Sequence, residues 1–345
     1  MPRSRLKKTL ILLVKFGISL GILWWLVVQA QKDQGFANLR NQPKNWELLG
    51  IAWGLCFVAV VCTFVRWWML VVALGLPFTI RDAIRLGFLG YLFNFISLGN
   101  VGGDLFKAFF IAREQHGHKT EAVATVIVDR VIGLYSLFIL ACGAVVLGGF
   151  LTNPQVREVR VISIAAVVSA IIGTFFVIML FVPGMTGGAA TRLLRRVPVA
   201  GPVLARLMGA VRIYREKSAV LFGALVISLV VQSMFTVAFA LIARGLPGAA
   251  PSLVEHFLIV PLASLAGALP LPLAGLGAFE GALEFLYRHV SKGVQVAQGK
   301  GLIVALCYRV ITLLIAPFGV YYWLSSRRDV AAAMHDADIE ADSDE

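Results

Sequence analysis

Six apolar windows, residues 10–28, 48–72, 122–147, 161–182, 219–243 and 302–324, are each long enough to cross a bilayer as a helix. A hydrocarbon core about 30 Å thick takes roughly 20 apolar residues at about 1.5 Å each. Lipid offers the backbone no hydrogen-bond partner, so each window must satisfy its own N–H and C=O groups. Outer-membrane barrel strands would be segments of about ten alternating residues, and these windows do not alternate. With 59% hydrophobic residues, 14% charged residues and a mean hydropathy of +0.84, the sequence predicts an all-α polytopic membrane protein with six full spans.

The placement of charge orients those spans. Residues 183–217 carry Arg192, Arg195, Arg196, Arg206, Arg212, Arg215 and Lys217 against Glu216. By the positive-inside rule this loop is cytoplasmic, and Arg3, Arg5, Lys7 and Lys8 at one end and Arg327 and Arg328 at the other place both termini there too. The net charge of +12 flanks spans and has no groove-reading motif beside it, so no nucleic-acid partner is expected. The N-terminal segment has the basic head of a signal peptide, but its apolar run is too long for one and reads as an uncleaved first span. Cys56, Cys62, Cys142 and Cys307 lie within spans without metal-like spacing and are expected to be reduced; no metal or cofactor is expected. Residues 327–345 read as a disordered acidic tail.

Counting spans from the cytoplasm leaves two segments that must enter and leave on one face. Residues 83–113 are predicted to be a re-entrant hairpin from the inside: a helix to about Ile96, a turn over residues 98–103 and a half-helix to about Arg113. Residues 255–290 are predicted to be its counterpart from the outside. Each runs apolar helix, glycine-rich turn, acidic residue and half-helix, then links to a span carrying an arginine: Arg130 after Asp129 in "VIVDRVIGL" and Arg309 in "ALCYRVITLL". The predicted organisation is therefore a first span and external loop (1–46), repeat 1 (47–150), a connector span and basic loop (151–217), repeat 2 (218–326) and the tail. The two repeats, each span–hairpin–span, have inverted topology, as in many secondary transporters.

The paired motifs "GNVGGDLFKAFFIAR" with "DRVIGL", and "LPLAGLGAFEGALEF" with "YRV", resemble the lysylphosphatidylglycerol synthase transmembrane-region, or flippase-like, family. The resemblance covers nearly the whole membrane portion. It implies the handling of membrane lipids: phospholipids, aminoacylated lipids, hopanoids or polyprenyl-linked lipids. Ser97 stands where the family often has proline, and Lys107 where it often has arginine. No soluble aminoacyl-transferase domain follows the last span in this sequence, so the synthase reaction in the family name is not expected here.

Charges at bilayer depth are costly, about 2.5–3.5 kcal/mol each on insertion scales, so Asp104, Asp129, Arg130, Glu280, Glu284 and Arg309 must pair or line a cavity. Arg130 and Arg309 are candidates to receive a lipid phosphate, which a guanidinium fork suits, or are buried structural partners. Asp104 and Glu280 start half-helices, where they cap free N–H groups, pair with the arginines or take up a proton; Asp129 and Glu284 join them as coupling or gating candidates. Gly102, Gly103, Gly275 and Gly277, with Gly99, are required by the turns and offer N–H groups to an anion. Lys107, with Arg113, is a candidate to attract anionic headgroups at the cytoplasmic mouth. Lys15 and Arg66 are expected to snorkel. His116 and His118 are expected to be solvated, and His256 and His289 carry no signal.

The leading expectation is a lipid transporter that moves an anionic or polar-headgroup lipid between leaflets of the cell membrane through a polar midplane site. The alternative is an intramembrane enzyme on a lipid or isoprenoid phosphate, with Asp129 or Glu284 as general base, or an accessory subunit. No catalytic constellation is present in the sequence, so the chain is read as a non-enzyme. A second copy of the chain or a lipid-modifying enzyme is the candidate protein partner.

Overall fold

The computed structural model describes residues 42–96, 102–115, 118–151, 157–181, 213–268, 277–291 and 294–325. The expected first span, most of the basic loop, the hairpin turns with Gly99 and Gly275, and the acidic tail lie outside the described residues. Among those described, every regular element is a helix. In chain order they are α1 (Trp46–Ala73), α2 (Ile80–Ile96), α3 (Gly102–Glu114), α4 (Lys119–Leu147), α5 (Arg157–Phe181), α6 (Ser218–Gly245), α7 (Leu253–Ala268), α8 (Ala278–Val290), α9 (Lys300–Leu313) and α10 (Ala316–Ser325).

Four helical segments are long and apolar enough to cross a membrane: α1, α4, α6, and α9 with α10 taken together. They match four of the six expected windows. The window at 161–182 falls in α5, where the apolar stretch among described side chains runs Val159–Phe175. The last expected span is interrupted at Leu314 and Ile315, just before Pro317. Proline cannot donate to the helical ladder and crowds the carbonyl four residues earlier, which is Leu313, so α9 ends there.

α1 and α6 form the most extensive helix pair. Asn45 ties their ends: its side-chain oxygen accepts from the Leu48 N–H at 3.1 Å, capping α1, while its own N–H donates to the Gly245 carbonyl at 2.9 Å. At that same end, the buried Lys300 ammonium donates to the Leu246 and Pro247 carbonyls at 2.9 and 2.7 Å. A cation there complements the negative end of the α6 dipole.

The two hairpins are built alike. α2 packs against α3, and α7 against α8; α3 and α8 are each 13 residues long. Each first helix opens with a reciprocal cap. The Thr79 N–H donates to Asp82 Oδ2 (3.1 Å) and the Asp82 N–H to Thr79 Oγ1 (3.2 Å). The Ser252 N–H donates to Glu255 Oε2 (2.6 Å) and the Glu255 N–H to Ser252 Oγ (3.3 Å). Fifteen residues beyond each cap's first residue the helices cross, by complementary means. Asn94 Oδ1 reaches over to accept from the Gly103 N–H at 2.9 Å. At the corresponding position of the other hairpin, Gly267 leaves room for the Phe279 side chain, whose Cβ would stand 3.0 Å from an added methyl. Gly103 has no such latitude: a Cβ there would lie 2.1 Å from the Gly90 carbonyl oxygen, so the backbones of α2 and α3 touch.

Candidate functional site

Each hairpin acid meets the arginine of the span that follows it. Asp104, at the third position of α3, pairs with Arg130 of α4, Oδ2 to Nη1 at 3.1 Å. Glu280, at the third position of α8, pairs with Arg309 of α9 through Oε1 and Nε. The buried Glu280 also accepts from the Gly277 N–H through Oε2 at 2.8 Å, capping α8. One carboxylate thus fills both roles that the sequence left open, cap and ion-pair partner.

Asp129, the neighbour of Arg130 on α4, meets Arg66 of α1 in a two-pronged pair: Nε to Oδ1 at 2.7 Å and Nη2 to Oδ2 at 3.0 Å. Arg66 Nη1 donates to Ser228 Oγ of α6. The expectation that Arg66 snorkels is corrected: the residue is only 5% exposed, and its fork is satisfied inside the bundle. Burial of a guanidinium on this scale requires both a carboxylate and further acceptors, and Ser228 supplies the remainder. Gly133, one turn after Asp129, leaves 3.6 Å between a would-be Cβ and that fork.

These charges surround a cavity of about 340 Å³. Its wall takes Arg66 from α1, Tyr91 and Asn94 from α2, Asp104 and Lys107 from α3, and Asp129 and Arg130 from α4. Gln232, Phe235 and Phe239 of α6, Ser264 and Ala268 of α7, Phe279 of α8 and Tyr308 of α9 complete it. Arg130, Gly133, Leu134 and Leu137 line it as one helical face, at spacings of three and four residues. Lys107 Nζ lies 5.4 and 5.3 Å from the ring centres of Phe64 and Trp67, within cation–π range. Among the described residues no carboxylate stands within ion-pair distance of it.

The remaining sequence candidates fall elsewhere. Glu280 and Arg309 are not among the residues lining this cavity, although Phe279 and Tyr308 beside them are. Glu284 accepts from the Gly299 N–H at 2.7 Å and the Leu302 N–H at 3.1 Å, so it caps α9. Gly102 opens α3 and Gly277, at φ 89°, precedes α8. His118 is largely exposed, 3.9 Å from Glu121. His256 is fully engaged, by the Ser252 carbonyl at 2.8 Å and the Tyr287 hydroxyl at 2.8 Å.

Sequence reasoning missed Tyr91, Gln232, Phe235, Phe239 and Tyr308 as wall residues. The signal available was the "YRV" motif itself, which places Tyr308 next to the arginine as "VDRV" places Asp129.

The lysylphosphatidylglycerol synthase TM region family model matches residues 12–319, which include both hairpins and every charged residue placed above. The chain belongs to this family. Membership supports a membrane protein with a lipid-related role. No curated protein and no solved structure matches the chain.

Proposed function

We propose that this lysylphosphatidylglycerol synthase TM region protein is a lipid carrier that passes an anionic or polar headgroup between leaflets through the charged cavity while the acyl chains stay in lipid. The observation that carries this reading is the group Arg66, Asp104, Lys107, Asp129 and Arg130 around one internal space. Charges are placed at such depth where a polar pathway or site needs them. On this reading α2–α3 and α7–α8 are re-entrant hairpins of inverted repeats, and both termini face the cytoplasm. The matching caps, crossings and acid–arginine pairs of the two hairpins support the repeat. The chain acts as a carrier and not as an enzyme, since Asp104 and Asp129 are each held by an arginine instead of being poised as a base.

The test is a leaflet-resolved assay in proteoliposomes, following loss of fluorescent phospholipid from the outer leaflet. Wild-type protein is expected to accelerate exchange. Arg130→Lys keeps the charge but loses the planar fork, and is expected to slow exchange more than Arg309→Lys, which lies off the cavity. Protein-free rates with folded wild-type protein would overturn the proposal.

A further inference from the structure

A second space, an apolar groove of about 270 Å³ between α5 and α8, shares no lining residue with the charged cavity. Ile162, Ala166 and Ser169 of α5 line it together with Ala282 and Phe285 of α8 and Phe138 of α4. α5 packs closely on α4 and only grazes α8, and the groove is the gap that this leaves. Small side chains on both helices keep it open, and His289 steadies the Phe285 wall by stacking on it, ring centres 4.2 Å apart. From Ile162 to Ser169 the groove runs about 10 Å at about 1.5 Å per residue, inside the roughly 15 Å depth of one leaflet.

One end of this groove is basic. Tyr135 of α4 meets Thr174 of α5 at 2.9 Å, so these consecutive helices run antiparallel and the start of α5 lies by the end of α4. Trp67 donates to Thr125 at 3.1 Å, which sets the start of α4 beside the last part of α1 and its end at the level of the α1 start. That is the level at which Asn45 and Lys300 gather the ends of α1, α6 and α9. Glu284, by capping α9, brings the last turns of α8 there too. Arg157 and Arg160 of α5 and Arg288 of α8 therefore stand at the same end of the bundle. All three are exposed, and among the described residues none is in an ion pair. Beyond Arg160, α5 is uncharged through Phe181, so these arginines mark the boundary between lipid and water. Glu158 lies between the first two in sequence and leaves the positive charge in excess.

We infer that the α5–α8 groove is a binding site for one anionic phospholipid that stays with the protein, with an acyl chain between the two helices and its phosphate between Arg160 and Arg288. Guanidinium forks suit a phosphate, and an apolar groove that opens at the arginines suits the chain that hangs from it. A helix, about 10–12 Å across with its side chains, is too broad for a space of this volume drawn out over this length. The bound lipid fills the gap that α5 leaves against α8 and joins that helix to the second hairpin. It is distinct from the lipid of the carrier reading, and the inference stands without that reading.

The experiment titrates the full chain carrying Phe285→Trp, in detergent micelles, with phosphatidylglycerol or phosphatidylcholine whose acyl chains bear bromine, a contact quencher of indole. The signal is the quenching in excess of that seen with the unsubstituted chain, which subtracts the native tryptophans. Half-maximal excess quenching is expected at about tenfold lower mole fraction of phosphatidylglycerol than of phosphatidylcholine. Arg160→Gln with Arg288→Gln should erase that difference, and Ala165→Phe, which fills the groove from an exposed position, should weaken both lipids alike. Arg130→Lys should keep the preference, because Arg130 lines the other cavity. Loss of the preference in Arg130→Lys would assign the lipid to that cavity and overturn the inference. Equal affinity for the two lipids overturns it, as does a preference that survives loss of both arginines. Absence of excess quenching also overturns it, and a disulfide between two chains through Ala165→Cys would then give the groove to a second copy. If Phe285→Trp does not elute as a monodisperse species, Phe138→Trp on the α4 wall gives the same readout, and if the arginine variants do not, the lipid preference of the single tryptophan variant decides.

Discussion

Replacing Asp129 by asparagine tests whether the Arg66–Asp129 pair is a structural fastener of the bundle. The substitution is nearly isosteric, so it changes charge without opening a hole. It leaves the Arg66 guanidinium, 5% exposed, with Ser228 as its remaining hydrogen-bonded partner. Two contacts go from charged to neutral acceptors or are lost, those at 2.7 and 3.0 Å. Removing one partner from a buried pair costs about 3–5 kcal/mol, because the other charge stays desolvated. The lower end applies here, since Asp129 is 15% exposed and water in the cavity can reach it. Arg66→Met with Asp129→Leu removes both charges and fills the space with apolar atoms, so it should recover most of the loss. The assay is thermal unfolding of purified protein in detergent, read by intrinsic fluorescence. The single variant should melt several degrees below wild type and the double variant within a degree or two of it, because substitutions at two residues in direct contact are coupled and do not add. An Asp129→Asn protein as stable as wild type would refute the reasoning, and so would a double variant whose loss is the sum of its parts.

Three other substitutions read separate features. Gly103→Ala should prevent accumulation of folded protein, because its methyl meets the Gly90 backbone at 2.1 Å, whereas Gly281→Ala, with nothing within 4 Å, should be neutral or raise stability by up to about 1 kcal/mol; membrane-fraction yield and melting temperature compare them. Lys300→Met strands the Leu246 and Pro247 carbonyls and should lower stability by about 1–3 kcal/mol, measured in the same melt, while Lys300→Arg loses less. In a cysteine-free background, Thr120→Cys should react with an impermeant maleimide only after the membrane is opened, and Val294→Cys in intact cells; reaction of both from one side ends the inverted arrangement. Both positions are exposed, unlike Gln115, which is buried with its side-chain amide donating to the Pro77 carbonyl at 2.8 Å.

Local pattern carried the sequence reading a long way. Apolar length located α1, α4 and α6 to within a few residues, because a helix in lipid must be long and uninterrupted. The glycine-then-acid pattern located the starts of α3 and α8, because a broken helix needs both a permissive turn and a cap. The two acid–arginine pairs were within reach for the same reason: hairpin and span are neighbours in the chain. Arg66 was misread because its partners are 63 and 162 positions away, and distance from a helix end says nothing about which neighbours cover a face. Glu284 could not be recognised as a cap on α9, since its two contacts span a loop whose path no periodicity encodes. The aromatic wall looked like ordinary apolar helix surface, because phenylalanines that face a cavity and those that face lipid have the same composition.

The contact of Gly90 with Gly103 bears on how the cavity could ever change shape. Where side chains separate two helices, small rotamer adjustments let one slide past the other; here main chain rests on main chain, and the Asn94–Gly103 hydrogen bond pins the crossing. At this crossing α2 and α3 are therefore joined as one wedge. Asp104 and Lys107 ride on it one and four residues from that contact, so their height is set by the backbone and not by the surrounding side chains. A shift of this wedge against α4 would disturb the packing of α3 on α4 and the one-pronged Asp104–Arg130 pair at 3.1 Å, while the two-pronged Arg66–Asp129 clasp holds α1 to α4.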